Sequence, residues 1–100
     1  MDREQIIRIV SDYARQVRSI INPIDIILFG SHVRGGATAD SDIDVAVVFD
    51  KFEGDWRQTV QKLHELTISV DTRIEPVLLE SRNDPSGFVK TVRHVGLKVS

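Results

Sequence analysis

Apolar residues recur along this chain at two spacings, one typical of amphipathic helices and the other typical of buried strands. The helical spacing first runs through residues 2–20 and starts near Asp2. A second long helix is predicted over residues 56–70. A shorter helix is predicted over residues 88–95, with Gly96 as its C-terminal cap.

Strands are predicted where short runs of apolar, mostly β-branched residues lie between these helices. The runs cover residues 24–29 (IDIILF), 42–49 (DIDVAVVF) and 72–79 (TRIEPVLL). Pro76 interrupts the third run, which favours a sheet edge or a bulge. Residues 97–99 are expected to add a small edge strand. Because helices and strands alternate, the pattern predicts an α+β fold, a two-layer α/β domain with a mixed sheet packed against helices.

A glycine-serine pair lies where the first strand ends and a short helix is expected to begin. Gly30 would let the main chain approach a phosphate, and N–H groups at a helix start bind anions. The Ser31 hydroxyl could add a hydrogen bond. An ordinary strand-to-helix turn with Ser31 as N-cap explains the pair equally well. The short helix extends to Arg34, and residues 35–41 form a loop.

Two aspartates at the start of the second strand are the first candidates for chemistry. Asp42 and Asp44 are two residues apart on a strand, so both side chains point to one face of the sheet. The opposite face carries the apolar residues Ile43, Val45, Val47 and Phe49. Paired carboxylates repel each other unless a cation lies between them, and Mg²⁺ suits such oxygen ligands. A solvated strand face is the alternative, and the nearby Asp40 favours a metal site.

A third carboxylate is expected on a neighbouring strand, because metal sites for phosphoryl transfer need further oxygen ligands. Glu75 is the preferred candidate, since adjacent strands lie about 5 Å apart and its carboxylate can reach Asp44. Asp71 competes for the role from the mouth of the same strand. Glu75 could instead be an exposed edge residue that pairs with Arg73.

Composition narrows the classes of function further. The chain has 100 residues, which suits a single domain over residues 1–100. It has no cysteine, which excludes disulfides, thiolate zinc sites and cysteine nucleophiles, and which fits the cytoplasm. No apolar run is long enough for a signal peptide or a membrane span. A net charge of −2 argues against direct binding of nucleic acid.

The glycine-serine turn and the aspartate pair together form a pattern with fixed spacing. The pattern reads Gly-Ser, two variable residues, Arg-Gly, a five-residue loop, and then Ser-Asp-x-Asp. Its fixed positions are Gly30, Ser31, Arg34, Gly35, Ser41, Asp42 and Asp44. In these residues the chain resembles the minimal nucleotidyltransferase family, which belongs to the DNA polymerase β superfamily. The resemblance implies the polymerase-β-like nucleotidyltransferase fold over essentially the whole chain.

The resemblance also implies an enzyme that transfers a nucleoside monophosphate, AMP from ATP, to an acceptor hydroxyl. The nucleotide would be bound by Gly30, Ser31, Arg34 and Ser41. The catalytic carboxylates, which would also hold two Mg²⁺ ions, would be Asp42, Asp44 and Glu75. The chain departs from the family pattern by having glutamate in place of the more usual aspartate at the third carboxylate.

Minimal members of the family are similar to the antitoxin half of two-gene pairs whose partner is a helical HEPN-family toxin. The resemblance therefore implies that the acceptor is a tyrosine hydroxyl of such a partner. Two other functions stay open: a binding module that has lost catalysis, and a transferase for a small molecule such as an aminoglycoside. The sequence leaves the nucleobase and the oligomeric state open, including a homo-oligomer.

Overall fold

The computed structural model describes residues 2–100 and arranges them in alternating helices and strands. In chain order, the elements are α1 (Arg3–Arg18), β1 (Asp25–Phe29), α2 (Ser31–Arg34), β2 (Ile43–Phe49), α3 (Trp56–Thr67), β3 (Ile74–Glu80), α4 (Phe88–Val95) and β4 (Leu97–Lys98). Within residues 2–100, no helix is both long and apolar enough to cross a membrane.

Helix α1 begins where the sequence predicts it and ends two residues earlier. The Asp2 carboxylate accepts from the Gln5 N–H at 2.8 Å, and the Gln5 side chain accepts from the Asp2 N–H at 3.0 Å. This reciprocal capping box satisfies N–H groups that the first turn leaves unpaired. At the other end, the N–H of Ile20 bonds to the Val17 carbonyl, a tighter turn than an α-helix makes. The extension to Ile20 is therefore wrong, and that side chain is 48% exposed.

The four strands form one mixed sheet in the order β3-β2-β1-β4. Strand β1 pairs antiparallel with both β2 and β4, whereas β2 pairs parallel with β3. The register aligns Phe29 with Asp44 and Asp44 with Glu75. The mixed sheet with its helices confirms the predicted α+β class, and the register brings the candidate carboxylates to one end of the sheet.

Most of the core lies on the sheet face that α1 and α3 cover. Residues Ile43, Val45 and Val47 are fully buried there and Phe49 is half-buried, as the alternation in β2 predicts. The structure adds α4 on the other face, where a smaller apolar cluster forms. That cluster consists of Ile27, Ala46, Val48, Val89 and Val92. The same face of β2 therefore begins with Asp44 and becomes apolar further along the strand.

Gly96 caps α4 as predicted, although the reason for glycine is space. Its φ of −83° is open to any residue. A Cβ atom built on Gly96 would lie 2.5 Å from both the Ile27 Cγ2 atom and the Val92 carbonyl oxygen. Glycine therefore allows the chain to leave α4 and join the sheet as β4 without displacing β1.

Strand β3 lies at the sheet edge, which confirms the position that Pro76 predicts. The Ile43 N–H bonds to the Arg73 carbonyl, and the Ser81 N–H bonds to the Phe49 carbonyl. The odd-numbered residues of β3 therefore direct their backbone groups toward β2. Pro76 faces outward, where its missing N–H removes a donor from the free edge and costs the sheet no hydrogen bond.

Candidate active site

The sheet register places two of the three predicted carboxylates next to each other. Asp44 is the second residue of β2, and its partner across the parallel pair is Glu75. Both side chains lie on the sheet face that α4 covers further along. Asp42 is exposed and directly precedes β2, so the prediction that the strand starts at Asp42 is wrong by one residue.

Asp44 is the electrostatic centre of the site. Burial raises the pKa of the half-buried Asp44 carboxyl, and the negative charges of Asp42 and Glu75 raise it further. Arg34 and His32 oppose this rise in pKa through their positive charge. An ionised carboxylate in these surroundings is strongly stabilised by a cation that neutralises its charge.

The main chain at Gly30 lies directly against the Asp44 carboxylate. Gly30 has a φ of 81°, and a Cβ atom there would be 2.1 Å from the Asp44 Oδ2 atom. Its carbonyl accepts from the N–H groups of Val33 and Arg34, each at 3.0 Å, which starts α2. Glycine is needed twice, for the backbone conformation and for the contact with the carboxylate.

Helix α2 holds the other residues of the predicted turn. Ser31 is its first residue and the N-cap is Gly30, so the alternative that makes Ser31 the N-cap is wrong. The Arg3 guanidinium donates to the Val33 carbonyl at 3.0 Å and ties α2 to the start of α1. Arg34 is exposed, and its charge acts on Asp44. The structure thus brings Gly30 and Arg34 to Asp44, while nucleotide binding by these residues stays a prediction.

Ser41 has a local structural role in the loop that precedes β2. Its hydroxyl accepts from the Thr38 N–H at 2.8 Å, and its own N–H donates to the Thr38 carbonyl at 3.1 Å. These two bonds close a turn just before Asp42. A contact between Ser41 and a nucleotide stays a prediction, and it would compete with the bond from Thr38.

The two candidates for the third carboxylate have different surroundings. Both oxygens of Asp71 bind Arg73: Oδ1 accepts from the backbone N–H at 2.9 Å and from Nε at 3.0 Å, and Oδ2 accepts from Nη2 at 2.6 Å. The side-chain bond to Arg73 lowers the pKa of Asp71. Glu75 is exposed and in register with Asp44. The geometry favours Glu75, although its role stays a prediction.

The donor chemistry of the site fits magnesium. Within residues 2–100, no group of three or more Asp, Glu, His or Cys side chains is gathered closely enough to hold a metal ion by itself. Mg²⁺ rarely needs such a cage, because it binds one or two carboxylates and keeps waters or substrate phosphates as its other ligands. Burial and the charges of the neighbouring carboxylates raise the pKa of Asp44, and such an ion would neutralise the charge that accumulates there. Asp42 and Asp44 are the residues that would hold it, with Glu75 beside them.

A cleft of about 500 Å³ is lined by polar and apolar residues from the end of β3 and the start of α4. Its lining includes Trp56, Leu79, Glu80, Asp84, Pro85 and Phe88. The Trp56 ring is 43% exposed and meets Phe52 edge to face at 5.0 Å. The exposure of Trp56 favours a role at an interface.

Sequence reasoning missed one interaction close to the carboxylates. The Arg73 Nη1 atom donates to the Ala39 carbonyl at 2.9 Å, across to the loop that carries Asp42. The signal was the Asp-x-Arg spacing of Asp71 and Arg73 at the mouth of β3, but only the fold shows that the loop lies within reach.

Comparison with known proteins matches this arrangement to a protein family and to solved structures. The sequence profile of the nucleotidyltransferase domain family matches residues 5–90. The 1.40 Å crystal structure of a candidate nucleotidyltransferase from Sulfolobus solfataricus has a similar fold, with a TM-score of 0.67 and 18% sequence identity. That similarity covers 96% of this chain and 80% of the other, and at this identity it shows the fold alone. No curated protein sequence matches the chain.

Proposed function

The chain belongs to the nucleotidyltransferase domain family, and from this premise we propose that it is a magnesium-dependent enzyme that transfers AMP from ATP to an acceptor hydroxyl. The observation that carries the proposal is the register of Asp44 with Glu75, with Gly30 packed against Asp44. This arrangement joins a turn suited to phosphate with carboxylates suited to a hard cation.

The residues of the site have separate roles in this proposal. Asp42 and Asp44 hold magnesium, and Glu75 completes the carboxylate set. Bound magnesium would lower the pKa of the attacking hydroxyl and neutralise charge on the triphosphate. Because position 30 has no side chain, the main chain there lies against the Asp44 carboxylate, which places the glycine-serine turn beside the proposed metal ligands. Arg34 adds positive charge near the carboxylates, where the departing pyrophosphate gains negative charge.

We place the acceptor on a protein partner, a tyrosine of a HEPN-family toxin that this chain neutralises. The support is the Gly30 to Asp44 motif, whose spacing is that of minimal nucleotidyltransferases. The exposed Trp56 and Phe88 rings, 43% and 39% accessible, supply apolar surface of the kind that partners cover. On this proposal the chain is an adenylyltransferase and an antitoxin.

A labelling assay tests the proposal directly. The chain is incubated with Mg²⁺, α-labelled ATP and the protein encoded by the neighbouring gene, and label on that protein is measured. We expect label with the natural chain and with Asp12→Asn, an exposed α1 aspartate far from the site. We expect none with Asp44→Asn. Equal labelling by Asp44→Asn would contradict the proposed site. Label on small molecules alone would show that the acceptor is a small molecule and not a protein.

A further inference from the structure

Arg73 joins three segments that meet beside the carboxylates. Its guanidinium is held by both oxygens of Asp71 and donates through Nη1 to the Ala39 carbonyl in the loop between α2 and β2. Its own carbonyl accepts from the Ile43 N–H, the first residue of β2, at 2.8 Å. The side chain of Arg73 therefore holds the chain before Asp42, at Ala39, and its main chain holds the chain after Asp42, at Ile43.

Besides the bond from Arg73, a longer contact links the loop of residues 35–41 to α2, with 3.5 Å between the His32 Nε2 atom and the Ser41 carbonyl oxygen. Gly35 and Gly36 have φ angles of 102° and 86°, and a Cβ atom at either would meet nothing within 4 Å. The turn between Thr38 and Ser41 stabilises the loop only within itself. The bond from Arg73 to Ala39 ties this turn to the sheet. The position of Asp42 relative to Asp44 therefore depends on Arg73.

We infer that Arg73 is a positioning residue, which fixes the loop of residues 35–41 and thereby places Asp42 for metal binding. This inference rests on the proposed function for its catalytic consequence. Asp71 acts through Arg73, since its carboxylate holds the guanidinium plane and lowers the freedom of the side chain. The pair is shielded, with 24% of the arginine and 17% of the aspartate side chain exposed, so solvent competes weakly for these bonds.

The geometry requires arginine and not merely a positive charge. The guanidinium presents its N–H groups in a rigid fork, which lets Nε and Nη2 hold Asp71 while Nη1 points to Ala39. A lysine ammonium is a single point charge on a flexible stem. Arg73→Lys should therefore keep the ion pair with Asp71 and lose the bond to the loop. If charge alone mattered, the lysine variant would behave as the natural chain does.

The first test measures the loop in the free protein and needs no activity. Amide hydrogen exchange is compared between the natural chain, Arg73→Gln, Arg73→Lys and the control Arg82→Gln. Arg82 also pairs with an aspartate, Asp50, at the far end of β3, and its side chain is exposed. We expect the Thr38 and Ser41 amides to exchange about tenfold faster in both Arg73 variants, the factor that corresponds to losing one hydrogen bond. The control should match the natural chain.

The second test measures the magnesium dependence of AMP transfer. A displaced ligand weakens the binding of the metal ion. Loss of a contact that supports a ligand typically lowers metal affinity or activity by about 10- to 100-fold. We expect the Mg²⁺ concentration for half-maximal rate to rise about tenfold in Arg73→Gln and Arg73→Lys, and to stay unchanged in Arg82→Gln. Adding Asp71→Asn to Arg73→Gln should change little more, because both act through one contact.

The outcomes separate this inference from the proposed function. Unchanged exchange at Thr38 and Ser41 in Arg73→Gln overturns the inference whatever the activity. Faster exchange with an unchanged magnesium dependence overturns the placement of Asp42 by Arg73. A natural chain that transfers no AMP contradicts the proposed function, and loop exchange then decides alone whether Arg73 fixes the loop. If Arg73→Lys behaves as the natural chain does in both tests, the claim that the guanidinium geometry is required is wrong.

Discussion

At the scale of single residues, the site combines a glycine in a backbone conformation that other residues rarely adopt with a disfavoured charge. Gly30 brings the main chain to the Asp44 carboxylate, and burial together with two neighbouring carboxylates raises the pKa of Asp44. The ionised Asp44 opposes folding in the metal-free protein, and on the proposed function both features serve the binding of phosphate and cation. Such local conflicts are expected where a fold carries function.

Replacing Asp44 by asparagine should abolish AMP transfer and stabilise the metal-free protein. Because the folded-state pKa of Asp44 is raised, the ionised carboxylate opposes folding. The penalty is absent below the unfolded pKa and grows as pH rises through the folded pKa. Thermal unfolding should therefore show a melting temperature gain for Asp44→Asn that is larger at pH 7 than near pH 4. The gain should be absent for the control Asp12→Asn; equal gains at both pH values would contradict the electrostatic account.

Gly30 and Gly36 form a matched pair for testing the contact with Asp44. Both have positive φ, 81° and 86°, but only at Gly30 would a Cβ meet another residue. Gly36→Ala should cost about 1 kcal/mol of stability and keep transfer. Gly30→Ala should cost more, by roughly 1–3 kcal/mol, and lose transfer. Urea denaturation measures both. The excess cost at Gly30 should shrink in an Asp44→Ala background; if it does not, the contact with Asp44 is not its cause.

At the scale of elements, β3 and the segment directly before it carry the two residues that compete for the role of third carboxylate. Register places Glu75 beside Asp44, whereas Asp71 lies before the strand and is bound by Arg73. Because β3 is an edge strand with a neighbouring strand on one side only, the Glu75 carboxylate can remain exposed. The pairing of β3 with β2 then fixes the position of Glu75.

Substitutions at Glu75 and at Asp71 should show which of the two carboxylates takes part in AMP transfer. Glu75→Gln should lower turnover strongly, by about 100-fold or more, with a small effect on nucleotide binding, because it removes a charge needed in the transition state. Asp71→Asn should do less, since the asparagine oxygen can still accept from Arg73. Single-turnover rates and ATP binding by calorimetry measure the two effects. The reverse order would make Asp71 the ligand and the assignment of Glu75 wrong.

Local patterns in the sequence predict most elements, while contacts distant along the chain escape them. The alternation in β2, the proline in β3 and the capping residues at α1 each act within a few residues, so their consequences can be foreseen. The bond from Arg73 to Ala39 joins residues 34 positions apart, and helix α4 covers a face that periodicity alone does not assign. Those features depend on strand order, which no local pattern fixes.

At the scale of the whole molecule, two rings connect the cleft with the carboxylates: Phe88 of the cleft meets Phe29 edge to face at 5.8 Å, and Phe29 pairs with Asp44 across the sheet. The cleft follows the end of β3 and the start of α4, and exposes Trp56 and Phe88. On the proposed function, this cleft is where a protein acceptor would be held while it is modified. The net charge of −2 is electrostatically compatible with a partner that carries basic residues.

The last prediction concerns that partner. Co-expression with the neighbouring gene should yield a complex that co-purifies, with an interface on the order of 1,000 Å² or more. A tyrosine of the partner should gain the mass of AMP, measured by mass spectrometry of the intact protein and its peptides. The modification should require both Asp42 and Asp44, because each is a proposed magnesium ligand.

The double variant Asp42→Asn, Asp44→Asn separates two modes of neutralising a toxin. If AMP transfer carries the function, cells that express the toxin with this variant should stop growing, although the complex still forms. Full protection by the inactive variant would show that binding is sufficient, and the transferase activity would then be secondary. Trp56→Ala provides the complementary control. It leaves the carboxylates intact, so it should weaken the complex if the cleft is the docking surface, while transfer at high partner concentration persists.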